Sequence, residues 1–296
     1  MSDKVPDRPT VAQRLLDVVG EDGVSLSEPL SEHTTFEIGG PADVFVAPDS
    51  IESAERAIAV CREEGVPFFV LGRGSDLLVS DLGYRGVIIC MADALDDLVV
   101  EDEKLVCQSG VTLSDAAEMA CALGLTGLEF ACGIPGTVGG AVFMNAGAYG
   151  GQIADVLESV RVVDAAGEVR EMGVDELDLG YRHSRIADDG LFVLSATFAL
   201  EPGDEAEIRA TMDDLTERRE EKQPLELPSA GSTFKRPEGH FAGKLISDAG
   251  LQGYRCGGAE VSTKHAGFVV NVGDATAADV RAVIAHVQDE VERQFG

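Results

Sequence analysis

The sequence is poor in positive charge and has no long apolar runs. It contains 23 Lys and Arg against 53 Asp and Glu, which gives a formal net charge of −30. A field of this sign repels nucleic acid and anionic membrane surfaces, so we predict that neither is a partner. The apolar runs extend over only several residues before a glycine or a charge interrupts them, and no transmembrane helix is predicted.

Cysteine patterns typical of metal sites and disulfide frameworks are also missing. The six cysteines are scattered and include no C-x-x-C pair, so we predict neither a metal site nor a disulfide framework. The residues Met1-Ser2-Asp3-Lys4 lack the basic start and apolar core of a secretory signal. The protein is therefore expected to be cytoplasmic.

The abundant acidic residues are spread through the chain and do not form one tail. This spread predicts a highly solvated surface, as in proteins of salt-accumulating microbes, and an acidic interaction module is the alternative. An anionic substrate would then have to be met by locally clustered Arg and Lys. We assign the basic residues in the last quarter of the chain to such a substrate; the alternative is that they cluster by chance. These residues are Lys235, Arg236, Lys244, Arg255 and Lys264.

The most unusual segment is the glycine-rich stretch Gly133–Gly151, in which seven of nineteen residues are glycine. Glycine is needed where φ is positive or where another surface approaches the main chain closely, and turns with free N–H groups bind anions. The length of the stretch, with Asn145 and Tyr149 inside it, favours a phosphate-bearing cofactor. The alternative is a tight loop packed against a strand.

A second glycine-rich turn, Gly72-Arg73-Gly74-Ser75-Asp76, follows the apolar run Val66–Leu71, which has the length of a buried strand. The G-x-G-x-x-G spacing of dinucleotide-binding folds is absent, and Leu77–Ser80 predicts another strand instead of a helix. A pyrophosphate would therefore be bound by turn amides and the Ser75 hydroxyl, without a helix dipole.

Capping residues predict where several helices begin. We expect helix starts at Thr10, at Asp49 or Ser50, at Thr112 and at Thr276. The other predicted elements are a hairpin of Glu158–Asp164 and Glu168–Met172 around 165–167, a two-faced strand Leu191–Leu200, a linker Glu201–Asp204 and a charged helix Glu205–Lys222.

Four motifs occur in a fixed order: Leu71–Ser80, Gly133–Gly151, Tyr181-Arg182-x-Ser184-Arg185 and Ser229–Pro237. With them the chain resembles the UDP-N-acetylenolpyruvoylglucosamine reductase family of peptidoglycan synthesis. The resemblance implies an α+β fold, with an FAD-binding domain of the vanillyl-alcohol-oxidase type followed by a smaller α+β substrate-binding domain. We place the lead-in helix at 1–32, the FAD domain at 33–202 and the substrate domain at 203–296.

The resemblance also implies the ligands and the site residues. FAD would be bound non-covalently, NADPH would reduce it, and the substrate would be a UDP-sugar enolpyruvyl ether. Arg182 and Ser232 would be catalytic, as cation and proton donor, and Tyr149 and Lys235 would contact the substrate. The implied cofactor-binding residues are Gly72, Arg73, Gly74, Ser75, Asp76, Leu77, Pro135, Gly136, Thr137, Gly139, Gly140, Asn145, Gly147 and Val193.

The chain departs from the family pattern at three places. Asp76 stands where the family usually has Asn, and a carboxylate there would weaken a pyrophosphate contact. Glu37 occupies a position that is often basic or neutral. The family continues after the last helix into a segment with a catalytic glutamate, and no residue here matches it.

The alternatives are another flavin oxidase of the same fold, although Arg73–Asp76 contains no flavin-linking histidine, and a flavin-binding protein without turnover.

Overall fold

The computed structural model describes residues 8–92, 95–164 and 166–296. They form two compact units, each assembled from separate stretches of the chain. The first unit contains the described residues up to Leu26, together with Asp43–Arg73 and Gly86–Glu217; the second contains Ser27–Ala42, Gly74–Arg85 and Arg218–Gly296. The division of the chain into FAD and substrate domains at residue 202 stays a prediction, because the two units are defined by contacts between residues, which do not show the ligand that each unit binds.

The α-helices among the described residues are α1 Arg8–Val19, α2 Ile51–Glu63, α3 Leu113–Ala122, α4 Val138–Met144, α5 Arg185–Asp188, α6 Glu205–Lys222, α7 Ala242–Asp248 and α8 Ala277–Phe295. The strands are β1 Val24–Pro29, β2 Pro41–Val46, β3 Phe68–Leu71, β4 Tyr84–Cys90, β5 Leu98–Glu101, β6 Lys104–Gln108, β7 Leu125–Thr126, β8 Gly147–Ala148, β9 Gly151–Gln152, β10 Leu157–Val163, β11 Val169–Gly173, β12 Phe192–Ala199, β13 Glu201–Pro202, β14 Ser229–Ser232, β15 Arg255–Cys256, β16 Ala259–Val261 and β17 Phe268–Asn271.

These strands pair into three larger sheets and two short ribbons. One sheet has the order β1-β2-β4-β3, with β3 and β4 parallel. A second sheet is antiparallel with the order β11-β10-β12-β6-β5, and a third is antiparallel with the order β14-β17-β16-β15. The ribbons are β7 with β13 and β8 with β9.

Three of the predicted helix starts are confirmed by their caps. The hydroxyls of Ser50, Thr112 and Thr276 accept hydrogen bonds from backbone N–H groups three residues later. The charged helix is also confirmed, since α6 covers Glu205–Lys222 as predicted. The hairpin of β10 and β11 is confirmed as well, although Ala165 in its turn lies outside the described residues.

Other predictions were wrong. Helix α1 already includes Arg8 and Pro9, before the start predicted at Thr10, and proline is accepted in a first helical turn because its missing N–H needs no partner there. Leu77–Ser80 forms no strand; it leads into a turn in which the Ser80 carbonyl accepts a bond from Gly83, and the same carbonyl accepts a bond from Gly40. The expected linker begins as a strand, because Glu201 and Pro202 pair with β7.

Hydrophobic cores fill each unit separately. In the first unit, one core lies between α3, α4 and the antiparallel sheet, and another lies between α1, α2, β2 and β4. In the second unit, a core forms between α8, β16, β17 and the segment that carries Phe36 and Ile38. All six cysteines are free, and burial raises the pKa of the Cys61 and Cys107 thiols to about 12, so both are protonated core residues. None of the described helices is long and apolar enough to cross a membrane.

Candidate active site

The glycine-rich stretch is partly helical, which the sequence did not predict. Helix α4 begins after Thr137, whose hydroxyl accepts a bond from Gly140 N at 3.4 Å. The stretch lies along residues 109–113: Val138 N donates to Val111 O at 2.8 Å, and Gly139 N donates to Ser109 O at 2.9 Å. Several of the N–H groups that we assigned to a phosphate are therefore bonded within the protein.

The two glycine-rich segments meet inside the first unit. A Cβ added to Gly72 would lie 2.5 Å from Thr137 Oγ1, and one added to Gly139 would lie 2.9 Å from Ser109 Cβ. Glycine is required at both places because atoms of the neighbouring segment lie too close for any side chain. The boundary between the units falls between Arg73 and Gly74, so the rest of that turn belongs to the second unit, where Gly74 has a φ of 57°.

These residues fit a bound cofactor. The Ser109 side chain is 2% exposed, and its Oγ has no hydrogen-bond partner among the described residues. A buried hydroxyl without a partner is costly, so a ligand at this position would supply the missing bond. Ser109 was not among the predicted site residues, although the pair Ser109-Gly110 directly after β6 was a signal in the sequence. A Cβ added to Gly140 would meet nothing closer than Thr137 Oγ1 at 3.6 Å, so this glycine leaves room for a ligand to approach the backbone.

A cavity of about 270 Å³ in the first unit adjoins this region. It is lined by Arg73, Asp96, Leu98, Gly110, Val111, Thr112, Asp115 and Met119. Thr112 forms an isolated β-bridge with Thr137, so one wall of the cavity continues into the glycine-rich stretch. Arg73 is the only predicted site residue in the lining.

Asn145 was predicted to contact the cofactor, but its side chain is fully used within the protein. It is 2% exposed and ends α4 in the left-handed conformation, with a φ of 41°. Its Oδ1 accepts a bond from Ala154 N at 3.0 Å, and its Nδ2 donates to Gly180 O at 3.0 Å and to Gln152 Oε1 at 3.2 Å. A contact from this side chain to a ligand would have to replace one of these bonds.

Arg182 lies on a loop that packs on the end of the same stretch. Its backbone has a φ of 55°, and its Nη2 donates to Gly147 O at 3.3 Å. The guanidinium carbon lies 5.2 Å from the centre of the Tyr181 ring. The structure thus brings together Arg182 and Gly147, two of the residues that the sequence motifs single out.

Tyr149 and Val193 differ in their exposure. Tyr149 lies at the tip of the β8–β9 ribbon, where it and Gly150 have φ values of 53° and 95°, and it is 44% exposed. A positive φ at a non-glycine residue is uncommon and concentrates at functional sites. Val193 is 5% exposed and packs in the core around β12, so its side chain serves the core.

In the second unit, Ser232 ends β14 opposite Phe268 of β17, and its side chain is exposed. Lys235 follows on an exposed loop.

The basic residues that we assigned to an anionic substrate are partly engaged elsewhere. Lys244 bonds to Asp248, and Lys264 bonds to Glu220 O and pairs with Glu226. Their charge is therefore partly neutralised by nearby acids. Arg236 lies over the Phe241 ring at 4.5 Å, and Arg255 bonds to Gly257 O.

Sequence comparisons identify both halves of the chain. The profile of an "FAD binding domain" matches residues 42–173, and that of "UDP-N-acetylenolpyruvoylglucosamine reductase, C-terminal domain" matches residues 223–296. The UDP-N-acetylenolpyruvoylglucosamine reductase of Clostridium beijerinckii is 52% identical over 276 residues, which cover 93% of this chain and 90% of the relative. The chain belongs to the UDP-N-acetylenolpyruvoylglucosamine reductase family. The reductase of Listeria welshimeri is also 52% identical, over 92% of this chain and 91% of its own.

Solved structures agree with membership of this reductase family. The UDP-N-acetylenolpyruvylglucosamine reductase of Thermus caldophilus is similar with a TM-score of 0.78 and 36% identity, over 90% of this chain and 94% of that one. p-Cresol methylhydroxylase shares 14% identity with a TM-score of 0.51, over 96% of this chain and 64% of its own, which shows the fold alone. The predicted fold is confirmed: an FAD-binding domain of the vanillyl-alcohol-oxidase type precedes the reductase C-terminal domain. The chain is an FAD-dependent reductase of this family.

Proposed function

We propose that the chain reduces UDP-N-acetylglucosamine enolpyruvate to UDP-N-acetylmuramate, with FAD as its bound cofactor and NADPH as the electron donor. The proposal depends on one observation, the 52% identity to named reductases over 93% of the chain. The reaction belongs to peptidoglycan precursor synthesis. We extend the proposal to a cytoplasmic enzyme that contributes to cell-wall formation, cell shape and cell division, because NADPH and UDP-sugars are cytoplasmic metabolites.

The chemistry that FAD supplies when bound is hydride transfer, from NADPH and on to the terminal alkene carbon of the enolpyruvyl group. The chain's own residues then have two tasks. One group must stabilise the negative charge that develops beside the substrate carboxylate, and another must give a proton to the carbon that bears the carboxylate.

We assign the first task to Arg182. A guanidinium is always charged and forms paired hydrogen bonds to a carboxylate, which fixes both the position and the charge of the group. The support is geometric: the Arg182 loop is bonded to the glycine-rich stretch at Gly147, next to the residues that the family motif assigns to the cofactor.

We assign the second task to Ser232. A serine hydroxyl is a weak acid and must be polarised by its neighbours, for which Lys235 on the following loop is our candidate. Exposure of Ser232 at the end of β14 leaves its hydroxyl accessible to a substrate. Tyr149 and Lys235 are proposed to contact the sugar nucleotide.

The cofactor would be held by the turn that begins at Gly72 and by the stretch from Pro135 to Gly147, with Ser109 added from the structure. No histidine or cysteine that could form a covalent flavin link lies in these segments of the sequence. Acid precipitation should therefore release the flavin into the supernatant. Colour that stays with the pellet would contradict non-covalent binding.

One anaerobic experiment tests the proposed reaction against the alternatives from the sequence. NADPH should reduce the bound flavin, and the enolpyruvyl substrate should reoxidise it with formation of UDP-N-acetylmuramate. A flavin-binding protein without turnover would stay reduced after substrate is added. An oxidase would stay reduced in the same way and would reoxidise at once when oxygen is admitted.

A further inference from the structure

Three hydrogen bonds tie the Arg182 loop to the end of the glycine-rich stretch, all within the first unit. Ser184 Oγ donates to Phe143 O at 2.6 Å, Asn145 Nδ2 donates to Gly180 O at 3.0 Å, and Arg182 Nη2 donates to Gly147 O at 3.3 Å. The bonded residues of the loop are Gly180, Arg182 and Ser184, so the loop is held on both sides of Arg182. Ser184 and Asn145 are 0% and 2% exposed, which shields their bonds from water.

The backbone at Arg182 is strained. Asn145 and Arg182 have φ values of 41° and 55°; asparagine tolerates this left-handed region at a helix end, whereas for arginine it costs free energy. Such conformations persist only where the surrounding structure holds them. The buried bonds of Asn145 and Ser184 provide that support, and without them the loop would relax and carry the guanidinium away.

We infer that Asn145 and Ser184 are positioning residues for Arg182, and that the Asn145 side chain does not bind the cofactor. This inference rests on the proposed function, in which Arg182 acts on the substrate carboxylate. Both residues would act through Arg182, so they should affect the step in which the substrate is reduced and not the step in which NADPH reduces the flavin. Displacement of a catalytic group by about 1 Å lowers a rate by up to ~10²-fold.

The sharpest variant is Asn145→Asp. It keeps the oxygen that accepts from Ala154 N and replaces only the donor to Gly180 O and Gln152 Oε1. In the reduced holoenzyme, reoxidation by the enolpyruvyl substrate should slow by ~10- to 10²-fold. FAD content, measured by flavin absorbance, and the rate of flavin reduction by NADPH should stay within twofold of wild type.

A double-mutant cycle separates positioning from general support. In an Arg182→Ala background, Asn145→Asp should cause no further slowing, because the group that it positions is gone. The matched control is Asn271→Asp in the second unit. Asn271 is also buried, donates to Phe36 O at 3.2 Å and accepts from two backbone N–H groups, so any effect of its substitution should add to that of Arg182→Ala.

Several results would overturn the inference. These are additive effects of Asn145→Asp and Arg182→Ala, equal slowing of both half-reactions, loss of FAD, or no effect at all. If Asn145→Asp does not fold, Ser184→Ala in the same cycle decides, with Ser159→Ala as control because Ser159 also has a low exposure and bonds through its hydroxyl to Glu171. Failure of wild-type enzyme to be reoxidised by the substrate would instead reject the proposed function.

Discussion

The two proposed catalytic residues are supported in different ways. Arg182 lies on an irregular loop in the first unit, and buried side-chain hydrogen bonds from Asn145 and Ser184 hold that loop. Ser232 lies on the edge strand β14 in the second unit, where backbone pairing with β17 sets its position. The comparison implies that the function of Arg182 is sensitive to substitutions of other side chains. Ser232 should be sensitive mainly to its own replacement and to the register of its strand.

The largest expected effect is that of Ser232→Ala. Loss of a positioned proton donor typically lowers a rate by ~10²- to 10⁴-fold, so reoxidation of the flavin by substrate should slow by this factor. Reduction by NADPH should remain near normal in stopped-flow measurements. Ser229→Ala, on the same strand, is the control and should have little effect. Equal damage to both half-reactions would remove Ser232 from the chemistry.

Arg182 should show a slightly smaller effect. Arg182→Ala removes one electrostatic contributor, which costs about 3–4 kcal/mol, or a factor of ~10² to 10³ in the substrate half-reaction. Arg182→Lys should recover part of this loss, because it keeps the charge but not the paired donors. Single-turnover reoxidation rates measure both variants. An Arg182→Ala enzyme as fast as wild type would reject the assignment.

A third prediction concerns two glycine positions in the proposed cofactor site. In Gly140→Ala the new Cβ would have Thr137 Oγ1 as its nearest neighbour at 3.6 Å, an ordinary contact, and alanine favours a helix over glycine by roughly 0.5–1 kcal/mol. The apoprotein should therefore melt at an equal or higher temperature. FAD affinity should fall by about 1–3 kcal/mol if the cofactor approaches this backbone.

Gly72→Ala is the contrasting variant. Its Cβ would lie 2.5 Å from Thr137 Oγ1, so the apoprotein itself should lose stability. Thermal melts of the apoproteins and fluorescence titrations with FAD separate the two cases. Unchanged FAD affinity in Gly140→Ala would remove Gly140 from the cofactor site.

The smallest effect should come from salt and should not distinguish the two units. At a net charge of −30 the folded chain repels itself, and the Debye length falls to ~3 Å at 1 M salt. The melting temperature should therefore rise between low salt and 1 M KCl, by ~2–4 °C for each kcal/mol of relieved repulsion. A melting temperature that stays constant or falls would contradict the solvated-surface interpretation.

Local signals in the sequence predicted helix ends better than they predicted the glycine-rich regions. A cap depends on residues three apart, so Ser50, Thr112 and Thr276 were correctly identified. Helix α4 was missed because two of its seven residues are glycine, the weakest helix formers after proline. Its first turn depends on hydrogen bonds to residues 109–111, which a local sequence pattern does not predict.

The candidate site shows the same limit. Family motifs identified Arg182 and Asn145, but not what the Asn145 side chain does, because its partner Gly180 lies 35 residues away in the sequence. Ser109 was missed for a similar reason, since only the folded chain shows that its hydroxyl is buried without a partner in the part of the chain that the structure describes. Residue types at fixed spacing predict a family, whereas the hydrogen-bond partners of a side chain can be assigned only once the fold is known.

The second unit has a consequence for the synthesis of the chain on the ribosome. Thr35 Oγ1 bonds to Ser229 O, and Asp81 accepts bonds from the first N–H groups of α8, over separations of 194 and 196 residues. At a translation rate of ~5–20 residues per second, the earlier segments wait ~10–40 s for their partners. Phe36 and Ile38, which the finished unit buries, lack their packing partners in α8, β16 and β17 throughout that interval.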